Sequence, residues 1–127
     1  MANGFHGRQE EWERIERPLR RLDGMLERFA RDHRLILRKN ERNWADRSFR
    51  WGNRPNILIQ VFLESEKHAT YTLWISASDH RSRAEYWKHK TLLKAAPIDE
   101  LVQQLPDLLK NAYATANEWI DTYNAVG

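Results

Sequence analysis

Ser76, Ser78, Asp79 and His80 bring the side-chain types of a hydrolytic triad into one short stretch. Nucleophilic hydrolysis needs its hydroxyl, imidazole and carboxylate to converge in space, and neighbours along one loop rarely aim at each other. No G-x-S-x-G elbow accompanies them. His80 with Asp79, and His89 further on, are the best candidate metal ligands, but no H-x3-H or HExxH spacing occurs. Glu64 and Glu66 could act as a carboxylate pair, yet alternation puts them at a strand end and in a hairpin loop, where solvated turn charges belong. There is no Walker loop and no GxGxxG, and Gly24 and Gly52 stand alone. The expectation is no metal, no cofactor and no recognisable catalytic set. An acid–base enzyme built on His80, His89 or Glu64 remains a third reading, because a single-residue site leaves no spacing signature.

The feature that points to function is alternation. Between Arg47 and Lys90 large apolar and polar residues alternate so regularly that strand faces follow from parity. One face reads Phe49, Trp51, Ile57, Ile59, Val61, Leu63, Tyr71, Leu73 and Ile75, which is a core. The other reads Arg50, Leu58, Gln60, Phe62, Thr72, Trp74, Ser76, Tyr86, Lys88 and Lys90, too polar for a core and too aromatic for an ordinary wet surface. From it, Arg50, Leu58, Gln60, Phe62, Trp74, Tyr86, Lys88 and Lys90 are the expected partner- or ligand-binding residues. Trp74, Phe62 and Tyr86 would supply contact area, and Arg50, Lys88 and Lys90 would select an anionic or polar partner. An aromatic patch with a polar rim suits protein–protein contact, including a homodimer. The same set could stack bases and attract phosphates. In geometry alone it resembles the four-stranded sheet of a common RNA-binding module, but the RNP1 pattern is absent and the element order differs. The helix–strands–helix order is also similar to double-stranded RNA-binding domains, although this chain is longer and no basic cluster opens its last helix.

The chain as a whole sets the bounds. Its 127 residues fit one domain, with residues 1–7 expected to be flexible. Hydrophobic residues make up 41%, enough for one core, and six Trp supply bulky packing units. Cysteine is absent, which excludes disulfides and thiolate chemistry and suits a reducing compartment. The first residues hold no apolar run that could form a signal segment, and no stretch approaches a membrane span. The expectation is a cytoplasmic protein with no membrane partner. The net charge of +3 is uneven: residues 1–54 carry +5, residues 55–96 carry +2 and residues 97–127 carry −4. Such asymmetry fits either an anionic partner or attraction between the two ends of the fold.

The elements that must position these residues follow from period. Trp12, Ile15, Leu19, Leu22, Leu26, Phe29 and His33 recur in steps of three and four, predicting helix over 8–33 with a kink or fresh start near Arg17–Pro18. Glu-to-Arg pairs at i,i+4 (Glu10–Arg14, Glu13–Arg17, Glu16–Arg20, Glu27–Arg31) account for much of the arginine. Leu35 to Arg38 reads as a short strand, and 39–46 as a polar loop anchored by Trp44. Strands follow at 47–51, 57–64, 70–77 and 86–91, with Gly52–Asn56 and Ser65–Ala69 as turns. With Glu64 facing Thr70, parity pairs Val61 with Leu73, Ile59 with Ile75 and Gln60 with Trp74, and the same logic across Gly52–Asn56 pairs Phe49 with Ile59 and Arg50 with Leu58. From Pro97, taken as a first helical position, an apolar stripe runs from Ile98 to Tyr123, and Pro106 is expected to divide it.

The predicted fold is α+β: an N-terminal helix, an antiparallel meander of four or five strands and a C-terminal helix, with the helices packed on one face of the sheet. The leading functional expectation is a small non-catalytic binding or protein–protein interaction module. Nucleic-acid binding through the same face is the alternative.

Overall fold

Pro18 decides how the chain begins. Helix α1 spans Gln9–Glu16 and gives way to a 3-10 segment at Arg17–Leu22, with the proline in its first turn. Helix α2 then runs Asp23–His33. It ends on Arg34 in the left-handed region at φ 57°, whose N–H caps the carbonyls of Ala30 and Arg31. In this computed structural model residues 9–79 and 84–126 are described, without the side chains at 54–55, 79, 84–87 and 123–126.

Five strands follow as one antiparallel meander in chain order: β1 Leu35–Lys39, β2 Asp46–Trp51, β3 Arg54–Ser65, β4 Thr70–Asp79 and β5 Ala84–Pro97. The pairings Phe49–Ile59, Val61–Leu73, Ile59–Ile75 and Gln60–Trp74 all occur. At the β3–β4 turn Ser65, not Glu64, faces Thr70, because a bulge falls between Leu63 and Ser65. Glu64 accepts a hydrogen bond from Thr72 Oγ1 at 2.6 Å, and that hydroxyl accepts the N–H of Ala95 at 2.9 Å. The bulge is therefore locked from two strands.

Helix α3, Ile98–Val126, runs through Pro106 without dividing. The proline is exposed, and Leu101, Leu105, Leu108 and Leu109 around it are buried, so packing on both sides offsets the missing backbone N–H. Pro97 is the last strand residue, just outside the helix. Helices α1, α2 and α3 lie on the Phe49/Ile59/Leu73 face. Leu19, Leu22, Leu26, Leu101 and Leu105 join the inward strand residues in one hydrophobic cluster. Tyr71 Oη donates to the Ile15 carbonyl at 2.5 Å, and Trp51 stacks on Tyr113 with centroids 6.0 Å apart.

Strand β2 carries one buried charge on its inward face. Arg47, 2% exposed, follows the parity of Phe49 and Trp51 and points at the helices. Its Nε donates to Asp23 Oδ1 at 2.6 Å and its Nη2 to Glu16 Oε2 at 2.9 Å. Its Nη1 donates to Asn40 Oδ1 and to the Asp46 carbonyl, both at 2.9 Å. Glu16, also 2% exposed, accepts from Arg20 and Asn40 as well. Two of the predicted helical pairs form, Glu13–Arg17 and Glu16–Arg20. Glu27 instead accepts from Lys39 at 2.9 Å.

Burial alone would raise the Glu16 carboxyl, but hydrogen bonds from Arg47, Asn40 and Arg20 hold it below the usual glutamate range. A lowered carboxyl contributes stability that is present above its unfolded value, about 4.3, and is lost as pH falls through its folded value. Glu16→Gln should therefore flatten the decline of stability below about pH 4.3, measured by urea unfolding across pH; an unchanged slope would remove Glu16 from the acid response. Arg47→Ala removes the buried cation that Glu16 and Asp23 share, leaving them only Arg20 and Lys39 at the rim, and should cost about 3–5 kcal/mol by the same assay. A loss below about 1 kcal/mol would show that the network is peripheral.

Candidate functional site

The face opposite the helices is built by β2, β3 and β4. Register places Ile36, Arg50, Leu58, Ser76 and His89 in one row across it, and Arg38, Ser48, Gln60, Trp74 and Thr91 in the next. Asp46, Phe62 and Thr72 follow. Phe62 meets Trp74 edge-on with centroids 5.6 Å apart, and the His89 ring lies 5.9 Å from Trp74. Short side chains such as Ser48, Thr72 and Ser76 are buried beneath their longer neighbours.

The loop between β1 and β2 folds over one end of this face. Asn40, Arg42 and Asn43 have φ of 54°, 57° and 61°, in the left-handed region that asparagine tolerates and arginine seldom adopts. The turn is held by the Asn40 N–H on the Asp46 carbonyl at 3.0 Å and by the Glu41 N–H on Asp46 Oδ1 at 3.2 Å. Between loop and sheet lies an open cleft of about 450 Å³ lined by Glu41, Arg42, Trp44, Asp46, Arg50 and Gln60.

Trp44 does not anchor the loop. It is 53% exposed at the cleft wall, while buried Ala45 serves as anchor, its carbonyl accepting the Leu63 N–H at 3.2 Å.

A continuous chain of hydrogen bonds forms the cleft floor. Trp74 Nε1 donates to Gln60 Oε1 at 2.8 Å, and Gln60 Nε2 donates to Asp46 Oδ2 at 2.8 Å. Asp46 is 3% exposed. Burial pushes its carboxyl above the usual aspartate range, against the opposing pull of the Gln60 amide. Glu41 Oε1 accepts from Ser48 Oγ at 3.2 Å and from Arg50 Nη2 at 3.4 Å. Among the described residues, every buried side-chain nitrogen and oxygen has a partner.

Of the residues expected from sequence, Arg50 and Gln60 line the cleft, and Leu58, Phe62 and Trp74 share its face. Lys88 and Lys90 do not. They pair with Ala77 and Ile75 on the helical side, and Lys88 Nζ sits 5.4 Å above the Trp119 ring of α3. The reason is that β5 is an edge strand, where a lysine of inward parity extends past the helix instead of being buried. His89 takes the outward position and is exposed. The side chain of Tyr86 and the whole of His80 lie outside the described residues. Sequence reasoning missed Glu41, Arg42 and Asp46 as site residues. Parity would have found Asp46, two residues before Ser48 on the same face, but no local pattern marks a loop that folds back.

Among the described residues no three His, Asp or Glu side chains gather as a metal site, and no helix is long and apolar enough to cross a membrane. No family model matches the chain, and no curated protein or solved structure matches it either.

Gln60 is the joint between Trp74 and Asp46. Gln60→Ala should raise the Asp46 carboxyl further, seen in a carboxyl-carbon NMR titration, and cost about 1–3 kcal/mol through the lost buried partner. An unmoved titration would mean that the amide does not hold the carboxylate.

Proposed function

We propose that this chain is a non-catalytic binding module that takes a macromolecular partner on the open sheet face, centred on the Glu41–Gln60 cleft. The observation that carries this reading is the segregation of the fold. Helices α1, α2 and α3 pack on one side of the sheet, and the other side keeps aromatic and charged side chains around a formed cleft. Among the described residues the large exposed apolar side chains, Ile36 at 43% and Trp44, belong to this same region. Clefts of roughly 300–1,000 Å³ with a few convergent polar groups are the usual size of a ligand site.

The polar groups suit binding better than turnover. Both Asp46 oxygens already accept internal N–H bonds, and Glu64 is committed to the bulge through Thr72. His89 and Glu64 belong to distant rows of the sheet, His89 opposite Ser76 and Glu64 beside the Ser65–Thr70 pair. Of the candidate acid–base groups, His89 and Glu64 therefore do not converge on one reacting atom, and His80 lies outside the described residues.

A fragment screen by two-dimensional amide NMR tests the reading without knowing the partner. Weakly binding fragments should shift the amides of residues 41–50 and 58–62 and leave those of α3 in place. Shifts clustered on α3, or none at about millimolar fragment concentration, would sink the assignment of this face as the binding face.

A further inference from the structure

We propose that the cleft takes one unpaired base of a single-stranded nucleic acid, stacked on Trp44, with its donor edge toward Glu41 and flanking phosphates on Arg38 and Arg42. The inference rests on the reading of the open face as a binding face and adds the chemistry of its ligand.

Three observations converge. Trp44 presents an indole at 53% exposure on the wall of a polar cleft, where burial gives it no structural duty. The loop that holds it there contains a left-handed arginine between left-handed asparagines, and it is fixed from below by Asp46 and from the core side by Arg47 on Asn40. Backbone strain maintained by surrounding bonds is characteristic of ligand-binding positions. The charges have an order too. Among the described residues Arg38 and Arg42 are exposed and make no ion pair, whereas both carboxylates lie deeper, Asp46 on the floor and Glu41 beside Arg50.

That order selects the ligand. A bare anion would meet Glu41 and Asp46, and a bare cation would meet Arg42 and Arg50. A nucleotide within a strand carries both complements, N–H donors on the base edge and negative charge on the backbone outside. Its flat face matches an exposed indole, and base–aromatic stacking is a general means of holding single strands. Glu41 Oε1 is taken by Ser48 and Arg50, while Oε2 has no hydrogen-bond partner among the described residues and is open to a donor. Adenine, cytosine and guanine bring an exocyclic amino group to that oxygen. Thymine and uracil place carbonyl oxygens on both sides of their single N–H and would be repelled. The site should therefore prefer amino-bearing bases.

The test is fluorescence anisotropy with labelled ten-residue strands of dA, dC and dT at low salt, run beside the fragment screen. Wild-type protein should bind dA and dC more tightly than dT. Trp44→Ala should weaken binding by about tenfold or more, and Trp44→Phe should keep most of it. Because Trp44 is exposed, thermal melting should not change in either variant. Arg42→Ala should reduce the slope of log affinity against log salt by about 0.7. Absence of binding at about 100 µM protein, affinity indifferent to Trp44→Ala, or a preference for dT would each overturn the inference. So would a dimer in light scattering that Trp44→Ala dissolves, which would assign the face to a second copy. Fragment shifts at 41–50 without strand binding would reject only the ligand class. Loss of both would reject the binding face with it.

Discussion

The buried guanidinium of Arg47 is the interaction on which the arrangement of this fold depends. It ties together three segments: the end of α1 through Glu16, the start of α2 through Asp23, and the β1–β2 loop through Asn40. The apolar stripe of the N-terminal segment fixes which side packs on the sheet, but not how far the helices slide along it. A guanidinium with carboxylates at 2.6 and 2.9 Å fixes that position, since a shift of one residue would leave buried charges unpaired. Such networks are weak sources of net stability, because desolvation offsets much of their attraction. Their effect here is geometric.

The adjacent residue transmits that geometry through the sheet. Asp46 and Arg47 are neighbours in β2, so the strand's twofold period sends them to opposite faces. Arg47 holds the Asn40 side chain from the core side, the Asp46 backbone carbonyl takes the Asn40 N–H, and the Asp46 side chain holds the Glu41 N–H from the open side. The loop is therefore clamped at its first residues from both faces, and its left-handed backbone is a consequence of that clamp. Asp46 also receives Gln60, which receives Trp74. One dipeptide thus connects the helix packing to the floor of the cleft, and a satisfied polar network of this kind is rigid.

Much of this was legible in the residues. Alternation gave the register of β2, β3 and β4 because a slip of one residue would have turned every apolar side chain outward. The helical stripe and the break at Pro18 were equally plain. Arg47 was not, since an inward-parity arginine looks like the end of a strand until Glu16 and Asp23 are seen to reach it. Lys88 and Lys90 were placed on the wrong face by the argument that lysine avoids burial, which does not hold at an edge. Bulges beside Leu73 then reverse the parity of β5, so that Leu93 rather than an even-numbered residue lies inward. The cleft was hidden for a different reason. Its wall is a loop whose positive φ values fall on arginine and asparagine, with no glycine to announce them.

The uneven charge of the chain finds a partial explanation in the fold. Arg21 pairs with Asp99 at 2.6 Å, so the basic front and acidic last helix do attract one another on the helical side. Arg47 and Arg20 are likewise consumed by Glu16 and Asp23. Arg38, Arg42 and Arg50 lie across the sheet from α3, whose carboxylates Asp99, Asp107, Glu118 and Asp121 are exposed. The sheet and its packed core stand between the two sets, and among the described residues no α3 carboxylate pairs with any of these arginines. What the sequence shows as a modest net charge is, once folded, partly paired on the helical side, while Arg38 and Arg42 stay exposed on the open face.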